Sequence, residues 1–569
     1  MTKKNIHVLL SGVIALALLW KGLYFYHMAY TIGAILIGIL LGYFIKNKGI
    51  YIEKSLNHIV LLVGVGLYFV TIFYAVDSGM AFMGALKVLV AYLFYLVLTQ
   101  ERHKCYKILY MDTVAICGII MAITGIMAFY IPILSNYFIQ NNRLGSVFQY
   151  PNTYGLLMII CTLYLISKDR LGHGYKIGLV LIWAGLFLTF SRSIYIMGIG
   201  AMVFYLLYDR KKINRILWPC FLGTVLGYVV MYTSRLSHML GRIEATSPTA
   251  SEWLTRLLYY QDSLSIMKDY PFGTGHLGFY YLQRIYQTGA TYYVKYSHSQ
   301  IIQIVLDIGI VGAGLVGIYF LMTIFSRRLI FHEKLAIIII FGHGAIDFDW
   351  EFVAVLMVLI IIVNVDADKI DKISFPRRWG YALAISAMMV YSYMGISAYW
   401  DYVGREELAV DLYPYNTEAK ASLARKYEGS NNKRAYNLAE EIIKQNPYNL
   451  TGYRIMRDIQ YGHNQLEEAL VSARKVVELN PLSIHHLEIY SDILLSYANE
   501  QLASGHREDV DGTIKELLEI PYYLDRLAKE RLTSYNVKHK PKLFMSKKLR
   551  LNQQEVEQLL DTILVVKRD

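Results

Sequence analysis

A succession of apolar runs fills the first 400 residues, and nothing else in the chain limits its folding so sharply. The runs lie near 6–26, 29–45, 57–76, 79–99, 109–131, 152–167, 174–190, 194–209, 215–232, 298–325, 333–346, 351–365 and 379–400. Most approach the length at which a helix crosses about 30 Å of hydrocarbon. The two between 333 and 365 are short for a full crossing. With 55% hydrophobic residues, 14% aromatic residues and a mean hydropathy of +0.35, the 569-residue chain is too apolar for an ordinary soluble protein. The expected fold is an all-α, polytopic membrane helix bundle of roughly 13 spans, followed by an extracytoplasmic helical repeat domain. Met1–Lys4 followed by apolar residues from Ile6 imitates a signal peptide, but no small-residue cleavage site follows, so a retained first span is expected.

Charge then orients the spans. A net charge of +12 could indicate nucleic acid, but in a membrane protein Lys and Arg concentrate in cytoplasmic loops. With Met1 inside, the inward loops and adjoining span ends hold Lys46, Lys48 and Lys54; Arg102, Lys104 and Lys107; Lys168, Arg170 and Lys176; Arg210, Lys211, Lys212 and Arg215; Arg327, Arg328 and Lys334; and Lys369, Lys372, Arg377 and Arg378. The short outward loops hold almost none, so no nucleic-acid partner is expected. This places the N-terminus in the cytoplasm, and the 234–297 loop and everything after about Trp400 outside the cytoplasmic membrane. Cys105, Cys117, Cys161 and Cys220 show neither CxxC spacing nor a disulfide framework, and no chemistry is assigned to them.

Composition changes after the last run. Residues 1–400 read as the membrane domain, and 404–569 as a charged, helix-forming domain without a membrane-length run. In the latter, Gln445-Asn446-Pro447 recurs as Leu479-Asn480-Pro481, 34 residues on, and Pro414 lies 33 before Pro447. This resembles tetratricopeptide repeats, with two helices per unit and Pro closing the second. About three pairs fit before Glu500, and the usual Trp and Gly signatures are missing. Such a domain either braces the membrane part or binds a protein or glycan.

If outward loops avoid positive charge, the cations found there need a reason. Arg143 sits in the segment Asn142–Asn152, Arg192 lies between Ser191 and Ser193, and Arg256 belongs to the long loop with Arg235, Arg242, Lys268, Arg284 and Lys295. Lys87 lies about eight residues inside its span, roughly 12 Å deep, where a charge is costly. It either snorkels, pairs with Asp307, or joins the arginines in a site for an anionic group. A diphosphate fits, because Arg offers a planar fork to phosphate oxygens and Lys a point charge, and both stabilise charge on a departing diphosphate. No Asp/His cluster with metal spacing occurs; Asp347-Phe348-Asp349 with His343 reads as structural or helix-ending. His298 opens the run to 325 and is either a polar cap or a base for an acceptor hydroxyl.

The combination resembles the O-antigen ligase family of polytopic glycosyltransferases, which includes polysaccharide polymerases and protein O-oligosaccharyltransferases. The resemblance covers roughly residues 80–360. It rests on Arg143-Leu144-Gly145-Ser146-Val147-Phe148 with Pro151-Asn152, on Ser191-Arg192-Ser193, on Arg256 followed by Pro271-Phe272-Gly273-Thr274-Gly275, and on His298-Ser299 leading to Asp307-Ile308-Gly309-Ile310-Val311-Gly312. The resemblance implies an undecaprenyl-diphosphate-linked glycan donor and transfer outside the cytoplasmic membrane, without a nucleotide sugar, cofactor or required metal. It implies further that Lys87, Arg143, Arg192 and Arg256 face the donor diphosphate, with Arg256 and His298 as catalytic residues and His298 at the acceptor. The acidic residue after the His is often Glu in that family and is here Asp307; the aromatic after the loop Arg is here Tyr260.

The leading expectation is therefore a membrane-embedded transferase acting on lipid-linked glycan, with a glycan, protein or cell-surface acceptor. Ligation is favoured over polymerisation because the exposed repeat domain could present a large acceptor. A lipid-linked glycan exporter would carry paired internal repeats, which are not found. A non-enzymatic scaffold would tolerate loss of His298 and Arg256 but not of 404–569.

Overall fold

The computed structural model describes residues 3–100, 106–168, 172–239, 251–289, 293–363, 369–374, 376–504, 507–531 and 543–566. Arg102, Lys104, Cys105, Arg170 and Arg242, along with parts of the long loop, lie outside them. Among the described residues the chain is all-α apart from two short antiparallel ribbons.

Thirteen of its helices coincide with the apolar runs. They are α1 (Lys3–Leu19), α2 (Tyr26–Asn47), α3 (Leu56–Thr71), α4 (Ser78–Thr99), α5 (Tyr106–Met127), then, after the short α6 (Pro132–Phe138), α7 (Pro151–Ser167), α8 (His173–Phe187), α9 (Arg192–Tyr208) and α10 (Ile213–Thr233). The long loop contributes α11 (Ser251–Asp269) and α12 (Gly278–Tyr286). The bundle continues with α13 (Gln300–Ile324), α14 (Phe331–Gly344), α15 (Val353–Val363) and α16 (Arg377–Tyr402). Six of these are long and apolar enough to cross a membrane by themselves: α2, α4, α5, α10 from Ile216, α13 and α16. Large apolar side chains point outward, among them Phe204, Leu207, Trp218, Phe221, Leu383 and Met389, where lipid rather than water is the compatible surrounding. This is a multi-pass membrane protein.

The loops sort as the charge pattern requires. Strand β1 (Ile50–Glu53), after α2, pairs with the strand Ile370–Ile373 before α16. Lys107 pairs with Glu333, Lys168 with Asp112, and Lys212 donates to the Ser167 carbonyl at 2.9 Å. All of these segments belong to the basic set of loops. At the other end, Val76 N–H donates to Thr274 O at 3.0 Å, and the hydroxyls of Tyr130 and Thr233 meet at 2.6 Å.

Helix α13 is broken. Ile308 and Gly309 leave helical geometry, Gly309 at φ 77°, so the carbonyls before the break lose their intrahelical partners. The loop 271–275 supplies replacements: Thr274 N–H and its hydroxyl both donate to Leu306 O, Gly275 N–H donates to Asp307 O at 3.0 Å, and Ile310 N–H returns to Pro271 O at 3.2 Å. Irregular backbone within a membrane bundle survives only when it is satisfied in this way. A Cβ on Gly273 would sit 2.6 Å from Asp307 O, and one on Gly309 2.6 Å from the Phe272 carbonyl carbon, so both glycines are required by close backbone approach.

After Gly404 and the short α17 (Glu406–Leu412), six helices form three successive pairs. They are α18 (Thr417–Tyr427) with α19 (Asn432–Gln445), α20 (Leu450–Gly462) with α21 (Leu466–Leu479), and α22 (Ile484–Ala503) with α23 (Arg507–Arg531). Helix α24 (Lys547–Val566) packs on α22 and α23. The sequence period is visible here as capping: Asn416, Asn449 and Ser483 accept backbone N–H groups at the starts of α18, α20 and α22. These helices dock on the bundle. Asp77, which caps α4, is buried and accepts from Thr417 Oγ1 and from Asn446 Nδ2, the latter at 3.1 Å. Tyr281 of α12 donates to Glu418 at 2.8 Å.

Candidate active site

The turn between α14 and α15 carries Asp347, Asp349 and Glu351 within five residues, and all three are buried. Ionised carboxylates cannot be buried cheaply unless each is paired and hydrogen-bonded. Here each meets a different part of the bundle.

Asp347 is the most connected. Its Oδ1 accepts from the Tyr150 hydroxyl at 2.7 Å and lies 3.5 Å from Nδ1 of His298. Its Oδ2 accepts from Asn152 Nδ2 at 2.6 Å and from Arg256 Nη2 at 3.3 Å, while Arg256 Nη1 donates to Ile346 O at 2.7 Å. Asn152 carries the connection onward, since its Oδ1 accepts from Arg143 Nη2 at 2.7 Å and from the Ser191 hydroxyl at 2.8 Å. Arg143 Nε also donates to Thr189 O at 2.9 Å. Burial by itself would raise the Asp347 carboxyl, but Arg256 and the neighbouring histidines outweigh it and hold the group below the usual carboxylate range. It is therefore a fixed negative charge at neutral pH.

Asp349 accepts from Thr153 at 2.7 Å and meets His343 Nδ1 at 2.5 Å, with Ser193 3.3 Å from the other imidazole nitrogen. Glu351 accepts from Lys87 Nζ at 3.1 Å, and that ammonium also lies 5.2 Å and 5.6 Å from the ring centroids of Tyr24 and Tyr26. Access separates the three pairs. The side chains of His298 and Arg256 are 23% and 20% exposed, whereas those of His343 and Lys87 are 0% and 4% exposed.

The chain enters this region through strained residues. Gln149, Phe190 and His298 have φ of 56°, 47° and 56°, a left-handed conformation that residues with a Cβ seldom adopt, and they stand just before Tyr150, just before Ser191 and at the imidazole itself. Tertiary contacts hold His298 there: Tyr260 donates to its carbonyl at 2.9 Å, the Tyr259 ring stacks on it at 5.8 Å, and Gln300 N–H donates to Asp347 O at 2.9 Å.

Of the residues singled out from sequence, Arg256 and His298 share one carboxylate, and Arg143 joins them through Asn152. Arg192 opens α9 directly after Ser191, whose hydroxyl is bonded to the same Asn152. Lys87 reaches the same turn, though by Glu351 rather than Asp307. Asp307 instead faces Tyr68, Gln303 and His276, the latter at 3.8 Å. One expectation needs correction and another extension. His298 does not begin the helix but precedes it, because Ser299 is the cap residue, accepting Ile302 N–H. The acidic turn, read as structural or helix-ending, does follow the end of α14, and its carboxylates also pair with Arg256, His343 and Lys87, which that reading did not include.

Beside Lys87 lies a cavity of about 180 Å³. Lys87, Glu351, His276 and Gln300 contribute polar groups to its lining, which is otherwise largely aliphatic and aromatic, with Ile304, Leu315 and Tyr319 among the residues. The Gln300 Oε1 and Trp350 Nε1 atoms, from two lining residues, are buried without a hydrogen-bond partner.

Residues 177–317 match the family model described as O-Antigen ligase. No curated protein and no solved structure matches the chain. The matched stretch includes Arg192, Arg256 and His298, and leaves Lys87, Arg143 and the acidic turn to be placed by the fold.

Proposed function

The chain carries an O-antigen ligase domain at residues 177–317, and from this we propose that it is a membrane glycosyltransferase moving an oligo- or polysaccharide from undecaprenyl diphosphate to an acceptor hydroxyl. The convergence of Arg256, His298 and, through Asn152, Arg143 on buried Asp347 carries this reading. Asp347 faces the imidazole with Oδ1 3.5 Å from Nδ1, and Nε2 takes the acceptor proton. The acceptor oxygen then bonds to the anomeric carbon, and the bond from that carbon to the phosphate oxygen breaks. The departing lipid diphosphate bears the displaced negative charge, which Arg256, Arg143, Arg192 and Lys87 stabilise electrostatically. The cavity beside Lys87 receives the start of the lipid chain.

The basic loops support an orientation in which the opposite face, with the site, the long loop and residues 404–569, lies outside the cytoplasmic membrane. Docking of the helix pairs beside α4 and α12 favours ligation, since a large acceptor can be presented there. The test is transfer by purified protein in detergent from labelled undecaprenyl-diphosphate glycan to candidate acceptors. A single addition to a protein or surface glycan acceptor supports ligation, and growth of the donor glycan itself supports polymerisation. Movement of lipid-linked glycan across proteoliposomes without any transfer would replace the transferase reading by an exporter.

A further inference from the structure

Helix α12 of the long loop packs on α21 of the second pair, and its Tyr281 bonds to Thr417 and Glu418 at the start of α18; arginines collect around this seam. Arg284 is on α12, Arg425 on α18, and Arg454 and Arg457 on α20. Glu428 and Asp458 are the carboxylates bonded among them: Glu428 binds Arg454 in a fork at 2.9 and 2.7 Å, and Asp458 serves both Arg454 and Arg457. Arg454 and Arg457 thus share two carboxylates, while Arg425 donates to Ser422 and Thr451, Glu418 is engaged by Tyr281 and Lys420 pairs with Glu441.

Arg457 is only 2% exposed, and its Nη1 reaches no hydrogen-bond partner. A guanidinium nitrogen buried in that state is costly, and an acceptor arriving from outside would relieve the cost. Nδ1 of His486, at the start of α22, is likewise buried without a partner. Burial, then Arg457, His485, Arg284 and Arg454, push this imidazole down to about 4, so it adds a neutral polar nitrogen to the group at pH 7. Aromatic faces adjoin the cations: Arg284 stacks 3.7 Å from the centroid of Tyr293, which packs 4.5 Å from Tyr280. Arg425 and Arg284 both act on the Tyr280 phenol, whose pKa burial nonetheless raises. Rings that present a face to sugar C–H groups, next to arginines that bind planar oxyanions, make a combination suited to a charged sugar.

We propose that the seam between α12 and the helix pairs, with Arg284, Arg457, His486 and Tyr280, binds an anionic saccharide bearing carboxylate or phosphate groups. This rests on the glycan-transfer reading and adds a subsite remote from His298, which would select charged glycan and hold it near the transfer centre.

The test is calorimetric binding to the full chain in detergent. The probes are tetragalacturonate, a phosphorylated maltotetraose, neutral maltotetraose and tetraglutamate. Binding of either anionic saccharide in preference to both other probes is expected, with Arg284→Gln weakening it roughly tenfold or more at unchanged melting temperature. The arm that binds identifies carboxylate or phosphate as the recognised group. Arg457→Gln should weaken binding similarly; should it fail to fold, partly buried Arg284 still decides the matter. Affinity equal for neutral and charged saccharides, equal for tetraglutamate, or unchanged in Arg284→Gln would overturn the proposal. His298→Ala should retain binding after losing transfer, which separates failure of this subsite from failure of the transferase reading.

Discussion

Two carboxylates of one turn each face a histidine, one in a 2.5 Å hydrogen bond and the other across 3.5 Å, with different consequences. Asp347 and Asp349 each face a histidine Nδ1, but His343 is sealed with Asp349, while the side chains of His298 and Arg256 remain about one-fifth exposed. A carboxylate–imidazole pair without access can only hold helices together. The same pair at an opening, beside an arginine, can exchange a proton with a substrate. Access and neighbouring cations, rather than residue type, separate support from chemistry.

Asp347→Asn should affect function most, because it removes the charge that aligns His298 and Arg256 with little change of shape. Transfer is expected to fall roughly 10²–10³-fold, measured as single-turnover rate on purified protein. Its effect on stability should depend on pH in a defined direction. The folded pKa lies below the unfolded one, so the stabilisation is complete above about pH 4 and is lost only as pH falls further toward the folded value. His343→Ala, on the sealed side, should do the reverse. Stranding Asp349 without its partner costs about 3–5 kcal/mol, read as a lower melting temperature, while transfer per folded molecule stays close to wild type. A catalytic defect in folded His343→Ala would erase the distinction between the two pairs.

Smaller effects test what frames the site. Gly309→Ala forces a Cβ against the Phe272 backbone at a φ of 77° and should cost about 1–3 kcal/mol, seen as faster proteolysis between 271 and 309. Asp262 of α11 is buried and accepts the N–H and hydroxyl of Thr288 at 3.1 and 2.7 Å. Burial raises its carboxyl to about 7 despite these bonds. A folded pKa above the unfolded one gives stability that is complete below about pH 4 and is lost as pH rises through about 7. Protease protection of 251–289 should therefore decline over that window in the native protein and much less in Asp262→Asn.

The bundle was legible in the sequence because lipid demands long apolar stretches and basic loops, and both are local properties. The helix-pair period was legible for a similar reason, since a cap residue recurs two positions after each Pro. The break in α13 was not. Asp307-Ile308-Gly309 lies inside an unbroken apolar run, and only docking of 271–275 makes the broken form affordable. The site was half legible. Cations on the sparsely charged side announced Arg143 and Arg192, and the family resemblance added Arg256, but the carboxylate that pairs with Arg256 lies in a segment that resembles a helix cap. Glu351 is 264 residues from the Lys87 that it neutralises, a separation that no local pattern bridges. Arg284 and Arg457 were hidden for the opposite reason: on a polar loop and a charged repeat, an arginine is ordinary until its burial is known.

The central claim is that transfer occurs at the open pair. The most direct measurement compares transfer from labelled undecaprenyl-diphosphate glycan by His298→Ala, Arg256→Ala and His343→Ala proteins, each normalised to its folded fraction. The account predicts loss of transfer in the first two and near wild-type transfer in the third. Undiminished transfer by folded His298→Ala and Arg256→Ala would contradict it.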